Sequence, residues 1–404
     1  MSVAINEDLA LSRFCRWAAI EGRSGEEKRI ADAIIADLLQ AGVPPDCITV
    51  DDAHLRSPFK GDIGNVIVTL PGDESLPRKL LSAHMDTVPI CCGARPLIED
   101  DQTLGRVIRS EGNTGLGGDD RSGCAAIATA VIERFGLAKT EPTRLLPPAV
   151  VVFLVQEEIG LKGAQFLDVT QIGHVDQAFN FDGGTMETIR HGAIGGERID
   201  INVFGHASHA GVAPQKGVSA ITVSAFAIAD LHRGGWLGLI EKPDGVGTAN
   251  IGVIEGGEAT NVVTPKVTLR AEARSHDQQF RLKIVKAIRR AFEAAAAETI
   301  DVRGRCGRVE FESRVDYEAF CLNESHPSVI AATEILRRLG YEPRCEVANG
   351  GLDANWLFQH SIEAVTLGCG QAAIHTVDEH LLVDHYLDAC RFATEIITRD
   401  ARSI

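Results

Sequence analysis

AVVVFLVQEE, running from Ala149 to Glu158, is the stretch on which the reading of this chain turns. Its first seven residues form an unbroken apolar run rich in valine. Such a run fits a strand buried on both faces, and strands of that kind belong to parallel sheets covered by helices. Two glutamates, Glu157 and Glu158, follow it after Gln156. Alone, a Glu-Glu pair is more often a solvated turn. In open α/β sheets, however, ligands bind in the crevice outside the carboxyl ends of the strands, so the neighbouring strands decide what the pair means.

Three further apolar segments end in the same way. Lys79 to Ala83 runs into His84 and Asp86, and Gln177 to Phe181 runs into Asp182. Ala364 to Leu367 is followed, after a glycine-rich turn, by His375. A fifth element, Gly117-Gly118-Asp119-Asp120, opens a helix. Each piece alone has a bland reading: a structural histidine beside a surface acid, or an aspartate capping a helix. Together they place an acid or imidazole on five independent loops at one sheet edge, as an active site requires.

Strands alternating with helices predict a mainly parallel sheet with helices on both faces. Asn6 to Ile20 is read as a helix. In Ser24-Gly25-Glu26-Glu27, Ser24 is read as the N-cap of the next helix, with Glu27 reaching back to form a capping box. That helix carries Ile30, Ile34 and Leu38 on one face and stops at Gly42. Asn65 to Leu70 is a strand closed by Pro71-Gly72, and Arg121 to Phe135 a helix ended by Gly136. From about residue 193 the style changes: Ile199, Ile201 and Val203 alternate with polar residues, the pattern of a strand with one wet face. The order from there to residue 316 reads β-α-β-β-α-β, a split βαβ arrangement. The alternating style then returns, with a helix over Ser325 to Leu339 and a strand over Pro343 to Val347. The expected domains are therefore a discontinuous one, 1–192 with 317–404, and an inserted one, 193–316.

Bulk properties narrow the function. At 404 residues the chain exceeds what one core usually serves, and 45% hydrophobic with 24% charged residues is an ordinary globular composition. A net charge of −16 argues against nucleic acid and against an anionic membrane surface as partners. Ten cysteines without a CxxC spacing fit reduced thiols and a cytoplasmic location. Residues 1–10 lack the basic start and apolar run of a signal peptide, and no stretch approaches the roughly 20 apolar residues that span a bilayer.

Mixed histidine and carboxylate ligands suit zinc or a similar first-row ion rather than calcium or magnesium. Two ions sharing a carboxylate can polarise a carbonyl and lower the pKa of a water between them to about 7. Of two adjacent glutamates, one can bind metal while the other stays free as general base.

The segments SGEE (Ser24 to Glu27), SAHMDTV (Ser82 to Val88), GGDDRSG (Gly117 to Gly123), QEEIG (Gln156 to Gly160), FDGG (Phe181 to Gly184), GHASHAG (Gly205 to Gly211), GGEATNVV (Gly256 to Val263), ARSHD (Ala273 to Asp277), GGLDAN (Gly350 to Asn355) and IHTVDE (Ile374 to Glu379) come in one order. Together they resemble the zinc-dependent exopeptidase and deacylase family of peptidase T, carboxypeptidase G and succinyl-diaminopimelate desuccinylase, and within it the peptidase T branch. The resemblance covers nearly the whole chain. It implies a phosphorylase/hydrolase-like zinc peptidase domain with an inserted ferredoxin-like lid and dimerisation domain. It implies two zinc ions per subunit, replaceable by cobalt or manganese: His84 and Asp182 on one, Glu158 and His375 on the other, and Asp119 bridging.

On the same resemblance Glu157 is the general base and Asp86 accepts a hydrogen bond from the distal nitrogen of His84. A cis peptide joins Asp119 and Asp120. His209, rather than His206, reaches the partner subunit's active site to polarise the scissile carbonyl, so a homodimer through the inserted domain is implied. Asn261 and Arg274 help to hold the substrate, Arg274 by a bidentate grip on a terminal carboxylate. Gly118, Gln156 and the Thr-Val-Asp-Glu run after His375 depart from peptidase T itself. The expected activity is aminopeptidase or tripeptidase action on short peptides. An N-acyl amino acid deacylase or carboxypeptidase of the same family is the alternative. A binding protein that has lost catalysis would lack Glu157 or a ligand, and none is missing.

Overall fold

A computed structural model describes residues 4–399 of the protein. The chain forms two compact units, Met1–Gly192 with Cys321–Ile404, and Ala193–Phe320.

The first unit is built on a nine-stranded sheet. At its centre, Lys79–His84 and Ala149–Leu154 are buried throughout and run parallel, with His84 opposite Leu154. Gln177–Phe181 pairs in parallel with the other side of Lys79–His84, and Ala364–Leu367 in parallel with Gln177–Phe181. Val66–Leu70 flanks this core antiparallel on one side and Thr188–Ala193 on the other. The four parallel strands point one way, so the residues that follow their carboxyl ends emerge at one edge.

Helix Gly118–Thr140 is buried over almost all of its first half. Val383–Thr398, which the sequence reading did not anticipate, inserts Phe392 edge-on between Phe179 and Phe181 of the sheet. Its Tyr386 lies against Phe14 of helix Glu7–Ala18 and donates to the Ala10 carbonyl. A four-stranded sheet formed by Pro96–Asp101, Gly105–Ser110, Gln371–Ala372 and His380–Leu382 was likewise not anticipated. Its first strand is largely exposed and carries no apolar alternation to read.

Two local expectations are corrected. Ser24 does not cap a helix: the helix is Lys28–Ala41, it has no side-chain cap, and the Ser24 hydroxyl is spent on Asp86. The helix expected to stop at Gly136 runs on to Thr140, because a solvent-facing glycine lowers helix propensity without forcing a break.

The second unit is a five-stranded antiparallel sheet in the order Gly238–Lys242, Gly245–Gly256, Lys266–Ser275, Gly195–Phe204 and Arg308–Tyr317. The first of these is an additional hairpin strand. Ile240 is its sole buried residue, so no alternation betrayed it. Helices Ala220–Arg233 and Gln278–Glu298 supply Val223, Ala227, Phe280, Ile284, Ile288 and Phe292 to a core shared with Ile199, Ile201 and Val203 of the sheet. Burying each large side chain contributes about 1.5–3 kcal/mol. Asp277 caps the longer helix through the amides of Gln279 and Phe280. Among the described residues no helix is long and apolar enough to cross a membrane.

Candidate metal centre

His84 ends its strand with the imidazole 1% exposed. Nδ1 lies 3.1 Å from the Asp86 carbonyl oxygen and 3.3 Å from Asp86 Oδ1, which fixes the ring and turns Nε2 the other way. Nε2 meets Asp119 Oδ1 at 3.1 Å, Asp182 Oδ1 at 3.9 Å and Glu157 Oε2 at 4.0 Å.

Asp119 stands where the chain enters its helix. The Asp119–Asp120 peptide is cis, and the dihedrals of both residues are non-helical. Asp120 closes the turn: its carboxylate accepts from the His84 amide at 3.2 Å and the Gly123 amide at 3.1 Å. Gly123 has to be glycine, since a Cβ there would lie 2.1 Å from the Phe181 carbonyl oxygen. The helix start is thereby pressed against the strand that delivers Asp182. Asp119 is left with one oxygen towards each imidazole, Oδ1 to His84 and Oδ2 to His375 Nε2 at 3.2 Å. His375 Nε2 also meets Glu158 Oε1 at 3.0 Å.

Ligand-capable atoms of His84, Asp119 and Asp182 lie within 4.8 Å of one another, and so do those of Asp119, Glu158 and His375, and those of His84, Glu157 and Glu158. A tetrahedral zinc site with ligand bonds of about 2.0–2.1 Å has ligand atoms about 3.3 Å apart. The donor set therefore fits two divalent ions by type and spacing, with Asp119 common to both groups.

Supporting groups hold the ligand loops. Asp86 is fully buried, and its carboxylate accepts from the amides of Glu157 (3.0 Å) and Glu158 (3.2 Å) and from the Ser24 hydroxyl (2.6 Å). Glu27 accepts from the amides of Gly25 and Gln156, tying the SGEE loop to the glutamate pair. Glu379 ends the IHTVDE segment. It is 1% exposed and accepts from the amides of Leu116, Gly117 and Asp119, so it shapes the Asp119 loop from below. Its signal in the sequence was an acid four residues after His375, and nothing there told which backbone it would hold.

The cluster is short of positive charge. Burial pushes the carboxyl groups of Glu157, Asp120 and Asp353 well above the ordinary range, and raises Glu158. Burial, with Asp119 beside it, pushes Asp182 up to about 7. His375 is raised to about 10 by its bonds to Asp119 and Glu158. Burial opposes charge on His84, yet its bonds to Asp119 and Asp86 raise it well above the usual imidazole range. Burial opposes charge on Asp119 too, but the two imidazoles hold it low. Protons retained on buried carboxylates mark a deficit that dications relieve.

Asp119, Glu157, Glu158, Asp182 and His375 open onto a cavity of about 570 Å³. Its far wall is Glu346 to Leu352, and Arg190 also lines it. The size lies within the range of about 300–1,000 Å³ common for small-molecule sites.

The remaining expected site residues lie in the second unit. His209 is exposed, and its Nδ1 accepts from the amides of Gly211 and Val212 at 3.2 Å each, which leaves the ring proton on Nε2. The Asn261 carbonyl accepts from the Ala210 amide, so the two motif loops are joined. Arg274 is engaged inside its own unit: Nε and Nη2 bond the two oxygens of Glu272 at 3.1 and 3.0 Å.

Comparison with known proteins agrees with this architecture. Residues 190–300 match the family described as peptidase dimerisation domain, and residues 65–191 match peptidase family M28. The uncharacterized protein YqjE of Bacillus subtilis (strain 168) is 30% identical over 401 residues, covering 98% of this chain and 100% of its own. A tripeptidase from Staphylococcus aureus superposes with a TM-score of 0.85 at 30% identity, over 98% of both chains. The aminopeptidase PepT from Bacillus cereus does so with a TM-score of 0.83 at 31% identity, again over 98% of both.

Proposed function

The chain belongs to the peptidase T-like M20 metallopeptidases, and from that premise we propose that it is a dizinc aminopeptidase releasing the N-terminal residue of short peptides, with Glu157 as general base. Metal-dependent peptide hydrolysis is the family's chemistry. The observation that carries the finer reading is the two-sided Asp119, one oxygen towards His84 and one towards His375.

In this reading His84, Asp119 and Asp182 would hold one ion, and Asp119, Glu158 and His375 would hold the other. When bound, such ions would supply polarisation of the scissile carbonyl and acidification of the attacking water. Glu157, buried and raised in pKa, takes that water's proton and returns it to the leaving amine. Asp86 holds His84 in the tautomer that presents Nε2, while its bonds to two consecutive amides set the direction of Glu157 and Glu158. His209 of a second subunit, protonated on Nε2, donates to the developing oxyanion, and Asn261 assists in holding the peptide. The match to a peptidase dimerisation domain supports a homodimer. We place the protein in the cytoplasm.

The test is hydrolysis of a tripeptide panel by zinc-loaded and chelator-treated protein, with metal content measured by elemental analysis. Chelator-sensitive release of the N-terminal residue, with two metal equivalents, supports the proposal. Cleavage that tolerates an acetylated amino group would replace it with a deacylase or carboxypeptidase.

A further inference from the structure

Building on the peptidase reading, we propose that Arg190 is a specificity-determining residue that binds a carboxylate of the substrate beside the metal centre. Arg190 lies on Thr188–Ala193, paired opposite Thr366 of the strand that leads towards His375. Its guanidinium lies over the backbone of Gly183, the residue after Asp182. A Cβ on Gly183 would be 2.7 Å from Nη1, so the glycine makes room for it. The side chain lines the same cavity as Asp119, Glu157, Glu158, Asp182 and His375.

Arg190 is only partly exposed, yet it makes no hydrogen bond or ion pair with any described residue. Glu346 lines the same cavity but is not within ion-pairing distance of it. The other arginine expected to grip a carboxylate, Arg274, is already doubly bonded to Glu272. The buried arginines of the first unit are spent on backbone and side-chain partners, Arg121 on the Trp17 carbonyl, Arg13 on Thr129 and Arg134 on the Ile397 carbonyl. Arg190 acts on the Asp182 carboxyl through space, opposing its upward shift, without a bonded contact, so its planar fork stays open to match a carboxylate by two parallel bonds. The partner it lacks is one that a peptide brings, either its terminal carboxylate or an acidic side chain.

A role in merely offsetting the negative cluster would affect all substrates alike, and that is what the experiment separates. Zinc-loaded wild type, Arg190→Gln and Arg190→Lys are assayed with tri-alanine, its C-terminal amide, and alanyl-glutamyl-alanine amide. The same peptides are titrated calorimetrically into the Glu157→Gln protein with and without Arg190→Gln. The expected result is a rise in KM of about 10- to 100-fold for a carboxylate-bearing peptide in Arg190→Gln. The expected kcat, zinc content and behaviour towards tri-alanine amide are those of wild type, with partial recovery in Arg190→Lys. Whichever acid loses affinity identifies the carboxylate that is read. An equal loss on acid and amide, or no loss, overturns the proposal. Should no peptide be hydrolysed, the peptidase reading falls, and the titration still decides for or against Arg190.

Discussion

The two units treat buried polarity in opposite ways. Among the described residues, every buried side-chain nitrogen or oxygen without a hydrogen-bond partner lies in the first unit, among them Glu27 Oε2, Arg121 Nε, Gln371 Oε1 and both oxygens of Asp353. In the inserted unit even Arg281, wholly buried, is bonded to Glu197 and to both oxygens of Glu318. Asp301 there accepts from two amides and from Arg305. The inserted unit follows the rules of a stable core, with apolar faces packed and charges satisfied. The first unit gathers like charges at a sheet edge and leaves them short of counter-charge. Departures of that kind cost stability and concentrate at functional sites.

Substitutions can break this contrast. The largest effect is expected at Glu157: Glu157→Gln should lower kcat by about 10²- to 10⁴-fold, while metal content by elemental analysis stays near wild type. Lost metal together with lost activity would make Glu157 a ligand instead. In the inserted unit, Phe292→Ala should cost about 3–5 kcal/mol in urea unfolding, with metal content per folded chain unchanged.

Removing metal addresses the first unit alone. A chelator should lower its stability by about 2.7 kcal/mol relative to protein at a hundredfold excess of metal over Kd. Hydrogen exchange should rise around Lys79–His84 and Ala149–Leu154 and not in Gln278–Glu298. Zinc affinity should fall as pH falls, because His375, raised to about 10, and Asp182, at about 7, hold protons that the metal has to displace. In metal-free protein the Asp182 shift acts the other way on folding. The folded chain keeps a proton that the unfolded chain releases near pH 4, so stability falls as pH rises from about 4 to about 7. A thermal midpoint that rose over that window would contradict the charge deficit. The smallest effect is expected for Ser24→Ala, which takes one of the bonds from Asp86. It should weaken metal binding about 10-fold and leave the fold intact by circular dichroism.

Much of the cluster was legible because each member follows a buried strand or opens a buried helix. Period and apolarity mark such elements, and the sheet's direction then sends their ends to one edge. The supporting groups were not legible. Glu379 and Glu27 accept from backbone amides far away in sequence and Ser24 donates to the distant Asp86 carboxylate, and a residue's type does not say which remote partner it will meet. Ser24 was misread for that reason, as local capping chemistry was the nearest available partner. Arg190 had no signal: an arginine between an isoleucine and a histidine in a half-buried strand looks like any other.

The amino-acid sequence by itself thus determined the class of fold, the unit structure of a catalytic sheet with an α+β insertion, and the chemistry available at the sheet edge. Those follow from periodicity and residue type, which are local. Tertiary structure alone decided which oxygen of Asp119 faces which imidazole, that Asp86 is the hub of three loops, that Arg274 is occupied and that Arg190 is not. Those are matters of a few tenths of an ångström between residues distant in the chain, where packing rather than pattern sets the outcome.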